Sequence, residues 1–268
     1  MLIGALFLFS SALLQQKPAL VFASVYIGDH GPYRFLVDTG SQTSLIDPKL
    51  AAELRLRPEF RVEIVTQNSR RPMPGLKVRD LRIGGHVVPE TELVFDDPNA
   101  ARQLDSSVRG LLGVSALNGI DFALTPSTGR LELYANRPAG EAVPFYRVEG
   151  RIALKTRMGA ETLLLTLDSG STNVVLFHTP GAMAKTRSVP TAFATLEGAR
   201  SVVPTTWTAE MTFADTLRVG VLPAAIVERR GAEIDGLLPA SIFKTIYIDQ
   251  AHGEAVLVRD SRSPRETK

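Results

Sequence analysis

Short apolar runs recur along the chain, alternating with polar positions and bounded by Gly, Pro, Asn and Asp. A period of two interrupted by turn residues predicts β-strands joined by tight connections. Val62-Glu63-Ile64-Val65, Leu76 to Ile83 and Ala209 to Phe213 read as strands buried on one face. Val25-Tyr26-Ile27 runs through Gly28-Asp29-His30-Gly31 into an apolar strand ending at Val37. Ile152-Ala153-Leu154 runs through Arg157-Met158-Gly159-Ala160 into one ending at Leu167. Both read as hairpins, because Gly accepts φ > 0 at little cost. One short helix is expected at Pro48 to Leu54, with Asp47 as N-cap and Pro48 at the first helical position. Smaller helical turns are expected after Gly113 and Pro239, opened by Ser115 and Ser241.

The pattern repeats. Tyr33 to Val37 runs into Asp38-Thr39-Gly40-Ser41, and Leu163 to Leu167 runs into Asp168-Ser169-Gly170-Ser171, 130 residues later. Further on, Gly110-Leu111-Leu112 faces Gly236-Leu237-Leu238, and Ile120-Asp121-Phe122 faces Ile246-Tyr247-Ile248, each 126 residues apart. Gly129 to Leu133 then faces Gly253 to Leu257, 124 residues apart. Preserved order with slowly shrinking offsets is what duplication followed by small loop deletions produces. By composition alone Asp-[Ser/Thr]-Gly is expected about 0.1 times in a chain of this length. Two copies, each behind an apolar strand and each followed by Gly-Leu-Leu, therefore carry information that one would not. Two Pro and one Gly between Asn136 and Pro144 mark a linker. The expected organisation is a first lobe at 18–137, a linker at 138–143, a second lobe at 144–258 and a polar tail at 259–268.

Composition narrows the chemistry. The chain has 268 residues with a formal net charge of +2, so no basic surplus exists to neutralise many phosphates, and a nucleic-acid partner is not expected. There is no Cys, which removes disulfides, thiolate zinc sites and Cys nucleophiles together. The four His stand in no HExxH arrangement, no G-x-S-x-G or phosphate-binding glycine run occurs, and no metal or cofactor is implied. Carboxylates and hydroxyls remain as the reactive inventory. Leu2 to Leu14 carry no charge, and Ser10-Ser11-Ala12 offers a small-x-small cleavage pattern. Residues 1–17 are therefore expected to be an export signal or N-terminal anchor, which predicts a periplasmic or extracellular protein. Membrane association is expected, where it occurs, through this N-terminal segment.

Val37-Asp38-Thr39-Gly40-Ser41, Leu167-Asp168-Ser169-Gly170-Ser171 and the paired Gly-Leu-Leu elements resemble the aspartic proteases, pepsin-like and retropepsin-like. The lobe size is similar to the retropepsin type, with both lobes in one chain. The resemblance implies an all-β acid-protease fold: two pseudo-twofold-related β-barrel lobes with short helices, paired within a monomer. It implies that Asp38 and Asp168 are the catalytic pair. Thr39 and Ser169 would brace the opposite loop, Gly40 and Gly170 would allow the tight turn, and Ser41 and Ser171 would donate to the outer carboxylate oxygens. The candidate flap is Gln67, Asn68, Ser69 and Arg70, within a stretch that lacks the Tyr of pepsin-like flaps and has two Pro. A second candidate lid spans Leu196 to Ser201, with Trp207 nearby.

Physical chemistry gives the pairing a purpose. Two carboxyls brought face to face cannot both ionise easily, so they share a proton; the aspartic-protease dyad is itself the type case of this behaviour. The ionised member can act as base on a water, and the protonated member can polarise a carbonyl and then protonate a leaving amine. The expected function is an endopeptidase acting on peptide or protein substrates. The alternatives are a non-catalytic peptide-binding module on the same scaffold and, third, a two-carboxylate glycosidase. Asp105, Asp121, Asp235 and Asp249 read as turn or surface residues.

Overall fold

The computed structural model describes residues 2–3, 19–65, 70–183, 187–194, 200–229 and 231–259. Apart from residues 2–3, the expected N-terminal signal lies outside the described residues. Among the described residues no helix is long and apolar enough to cross a membrane.

The first half is built on a hairpin. Strands Phe22–Ile27 and His30–Asp38 pair antiparallel with Phe22 opposite Leu36, and the chain turns at Gly28 with φ +58°. Ala23, Val25 and Ile27 face inward, as a period of two requires. The second half repeats the device. Strands Arg151–Met158 and Glu161–Asp168 pair antiparallel around Gly159, with φ +63°. Fully buried Phe35, Phe122 and Phe213 anchor the interior, each worth roughly 1.5–3 kcal/mol of apolar transfer.

Leu76 to Ile83 is not one strand. Arg70–Val78 pairs with Phe60–Val65 and Thr91–Phe95, whereas Leu81–Ile83 pairs with Phe22–Ile27. The corner falls at Arg79-Asp80. Its trace in the sequence is a slip of phase: Leu76 and Val78 are buried at even positions, Leu81 and Ile83 at odd ones. The helix forms at Pro48–Glu53, where Asp47 Oδ1 accepts from the Lys49 amide at 2.9 Å. Turns of 3-10 helix occupy Val114–Leu117 and Ala240–Ile242, but they begin after Gly113 and Pro239 with no side-chain cap from Ser115 or Ser241. Helix Asn99–Leu104 has no counterpart among the expected elements.

Behind each Asp loop runs a Gly-Leu-Leu strand. Val108–Gly113 pairs parallel with His30–Asp38, placing Gly113 opposite Asp38, and antiparallel with Ser44–Ile46. Gly236–Pro239 pairs parallel with Glu161–Asp168, placing Pro239 opposite Asp168, and antiparallel with Val174–Leu176. Each strand threads between two neighbours so closely that only Gly fits at its head. A Cβ would lie 2.2 Å from Phe35 Cε1 at Gly110, and 2.0 Å from the Val175 carbonyl oxygen at Gly236.

The halves also share a sheet. Its strands run Arg130–Leu133, Phe122–Thr125, Thr245–Asp249, Glu254–Val258 and Glu141–Val148, each hydrogen-bonded to the next. The crossing between halves is Phe122 opposite Ile248, which are equivalent residues of the repeat. Glu141–Val148 begins inside the segment read as a linker.

Candidate active site

Each half ends its central hairpin in a carboxyl that the solvent does not reach: Asp38 and Asp168 are both 0% exposed. Burial follows from position, since each closes an apolar strand and the chain then turns back over it. One oxygen of each is satisfied locally. The Gly40 amide donates to Asp38 Oδ1 at 3.0 Å, and the Gly170 amide donates to Asp168 Oδ1 at 2.8 Å. Gly40 also lets the opposite carboxyl approach, because a Cβ there would lie 2.5 Å from Asp168 Cγ.

The residues after each Asp bind the two loops to each other. The Thr39 amide donates to Ser169 Oγ at 3.0 Å, and the Ser169 amide donates to Thr39 Oγ1 at 3.1 Å. Each hydroxyl then donates onward across the interface: Thr39 Oγ1 to the Leu167 carbonyl and Ser169 Oγ to the Val37 carbonyl, both at 2.8 Å. Four buried hydrogen bonds related by the repeat thus fix the spacing of the loops, and Ser fills the second position as fully as Thr fills the first.

Ser41 and Ser171 differ from expectation. Ser41 Oγ donates to the Thr43 carbonyl at 3.0 Å and Ser171 Oγ to the Asn173 carbonyl at 2.8 Å, tightening their own turns. Asp38 Oδ2 and Asp168 Oδ2 receive no donor. A proton on one carboxyl finds its partner in the other. Burial, the charge of Asp168 and a hydrogen bond with it push Asp38 well above the usual carboxylate range, against the pull of the Gly40 and Ser41 amides. Burial likewise raises Asp168, to about 6, while the Gly170 amide, Asp38, the Ser171 amide and the charge of Arg151 hold it down.

Of the candidate flap, Gln67, Asn68 and Ser69 lie outside the described residues; Arg70 opens the returning strand, its backbone opposite Val65. Beside it Arg71 holds Asp96 at 2.6 Å. The second candidate lid belongs to the hairpin of Val189–Ala194 and Arg200–Trp207, whose connection 195–199 is also outside the described residues. Trp207 is exposed.

Three residues, one beside the Asp pair and two at the sheet the halves share, carried no expectation. Arg151 is buried and bonds Glu149 Oε2 through Nη2. Its visible signal is a charge at the head of the apolar run Ile152-Ala153-Leu154. Gln250 reaches from the second half into the first, its Nε2 donating to the carbonyls of Leu117 at 2.9 Å and Ile120 at 3.1 Å. Asp121, read as a turn residue, accepts from the Gln250 amide at 2.7 Å. Arg137 grips Asp249 at 2.5 Å and Glu254 at 2.6 Å. Asp249 is therefore a buried clamp rather than a surface residue.

An all-β fold with a buried carboxyl on each of two cross-bonded Asp-hydroxyl-Gly loops is the arrangement of an aspartic protease. Residues 23–116 match the aspartyl protease family model, a match that supports an aspartic protease of the retropepsin-like kind. The matched stretch contains Asp38 and the Gly-Leu-Leu strand behind it, and ends before Asp168. No curated protein matches the chain.

Proposed function

We propose that the protein is an aspartic endopeptidase in which Asp38 and Asp168 activate water together. The supporting observation is the reciprocal Thr39–Ser169 bonding, which holds two buried carboxyls against each other with one oxygen apiece left without a donor. Above the first dissociation the pair carries one proton and one charge. The ionised carboxyl takes a proton from water as the water oxygen bonds to the peptide carbonyl carbon, and the protonated carboxyl delivers its proton to the carbonyl oxygen. In the second step the tetrahedral diol loses a hydroxyl proton to a carboxylate, the carbonyl reforms, the C–N bond breaks and the leaving nitrogen accepts a proton from the other carboxyl. The pair returns to its starting state, and the scheme calls on no cofactor. An extended peptide lying between the halves would pair with strand edges through its backbone.

The test is cleavage of a peptide library from acid to neutral pH by wild type, Asp38→Asn and Asp168→Asn. Each variant is expected to lose roughly 10²–10⁴-fold in kcat/KM, the usual worth of a general acid or base. Full activity in either variant ends the shared-proton mechanism. A wild type that binds peptides and cleaves none is a peptide-binding module instead.

A further inference from the structure

The two halves agree at the Asp loops but not opposite them. In the first half Phe22 faces Leu36, and the Val37 amide donates to the Val21 carbonyl at 2.9 Å. Continuing that register sets the buried aliphatic Leu20 across from Asp38. In the second half Ala153 faces Thr166, and the same continuation sets Arg151 across from Asp168. Directly opposed residues of an antiparallel pair share a face. One carboxyl therefore has a hydrocarbon across from it and the other a guanidinium.

Arg151 is held in place from several sides. It is 4% exposed, and its Nη2 bonds Glu149 in the preceding turn. Glu149 and Gly150 both take positive φ, 48° and 79°, as a tight two-residue hairpin turn demands. That turn docks against the first half: a Cβ on Gly150 would lie 2.9 Å from Nε2 of Gln42, the residue after Ser41. The charged groups that act on Arg151 are Glu149 on its own turn, Arg229 following strand Pro223–Ile226, Asp168 on the neighbouring strand and Asp38 across the interface. Neighbouring Arg147 is occupied by the Gly150 carbonyl, at 3.2 Å, and by Gln250.

We propose that Arg151 is a positioning residue that draws the single negative charge of the pair onto Asp168, leaves the shared proton on Asp38, and with Glu149 as counterweight sets the acid edge of the working pH range. The proposal rests on reading Asp38 and Asp168 as a proton-sharing pair. A cation facing Asp168 favours its ionised form and lowers the pH at which the pair first gives up a proton. Glu149 offsets part of that field. Loss of Arg151 should therefore move the first dissociation up, and loss of the Glu149 charge should move it down.

The experiment is a carboxyl 13C NMR titration of Asp-labelled full-length protein, assigned with Asp38→Asn and Asp168→Asn. Its variants are Arg151→Met, Arg151→Lys, Glu149→Gln and the double Arg151→Met/Glu149→Gln. Arg151→Met is expected to raise the first dissociation by about one pH unit, a tenfold gain in proton affinity. Arg151→Lys should stay near wild type, and Glu149→Gln should shift the other way. If Arg151→Met strands Glu149 and unfolds the chain, the double variant decides, because neutralising a buried pair together is commonly tolerated. It too must titrate above wild type. An unmoved titration in a folded Arg151→Met or double variant, or an upward or absent shift in Glu149→Gln, overturns the assignment. So do carboxyls that titrate independently at ordinary values. The acid limb of kcat/KM should move with the titration in an active enzyme. If wild type cleaves nothing while the titrations shift as expected, the protease reading fails and the charge assignment stands. If cleavage requires both Asp residues and the titrations do not move, only the assignment fails.

Discussion

Burying a carboxyl with an amide on one oxygen and nothing on the other is costly unless it keeps its proton, and Asp38 and Asp168 are both fully buried in this way. This couples the site to stability. An unfolded Asp releases its proton near 3.9, whereas folded Asp168 holds one to about 6 and Asp38 is raised as well. Between those values the folded state binds more protons than the unfolded state, so stability falls as pH rises and levels off above the folded pKa. At about 1.4 kcal/mol per unit, Asp168 alone should withdraw about 2–3 kcal/mol between pH 4 and pH 6, and Asp38 adds to the decline in the same direction. Urea unfolding at several pH values checks this against the Asp38→Asn/Asp168→Asn double variant, which should lack the decline. Parallel curves for the two proteins would contradict it. Gly40→Ala belongs to the same scale. Its methyl would overlap the Asp168 carboxyl, 2.5 Å from Cγ, so it should cost at least 1–3 kcal/mol in unfolding free energy and abolish cleavage. At this scale the sequence is legible where a residue type is forced, as at Asp38, Gly40, Gly110 and Gly236. Arg151 is not legible as part of the site, because its role depends on which residue faces it across a hairpin register. Nor does the motif encode where the Ser41 and Ser171 hydroxyls turn, since the Thr43 and Asn173 carbonyls within their own loops compete with the carboxyls as acceptors.

Elements carry the same contrast between local and long-range signals. The helix at Pro48–Glu53 is written locally, in an Asp cap followed by Pro. Helix Asn99–Leu104 is not, since Pro98 precedes it and no side chain caps it; its two turns form by packing against strand Val108–Gly113. The corner at Arg79-Asp80 shows only as the slip of phase between Val78 and Leu81, because the polar residues there suit a strand and a turn equally. Asp47 shows how one local signal serves a distant element. Besides capping its helix it accepts from Arg102 Nη1 at 3.0 Å and Arg109 Nε at 3.2 Å. Arg109 lies in the strand that threads behind the Asp38 loop. Asp47→Asn keeps a cap and loses the charge pairing, whereas Asp47→Ala loses both. The first should cost about 1 kcal/mol and the second about 2 kcal/mol, adding the lost cap to the lost pairing of the half-buried Arg102 and Arg109. Denaturant midpoints of the two variants read the difference. Equal costs would mean that the cap contributes nothing and that only the Arg pairs matter.

For the whole molecule, the question is whether the repeat yields two units that open separately or one. Among the described residues the halves are joined by the Thr39–Ser169 hydrogen bonds, the backbone pairing of Phe122–Leu124 with Ile246–Ile248, the Gln250 and Arg137 contacts and the docking of Gly150 on Gln42, among others. The strand pairing matters most here, because a sheet interior cannot be opened on one side without exposing backbone groups and fully buried Phe122, Leu124, Ile246 and Ile248 on both. Either half unfolding alone would strip this shared sheet and uncover both Asp loops. The expected behaviour is a single cooperative unit. Native-state hydrogen exchange tests it: the amides of Phe122 to Leu124 and Ile246 to Ile248 should exchange only through global opening, with equal free energies that fall equally with added denaturant. Amides of the peripheral hairpin Val189–Ala194, which pairs only with Arg200–Trp207 among the described strands, should open at lower cost. If the first half's central strand His30–Asp38 exchanged well below the second half's Glu161–Asp168, the halves would be separable units. The geometry of the Asp pair would then rest on the contacts beside it, the Thr39–Ser169 bonds and the docking of Gly150 on Gln42.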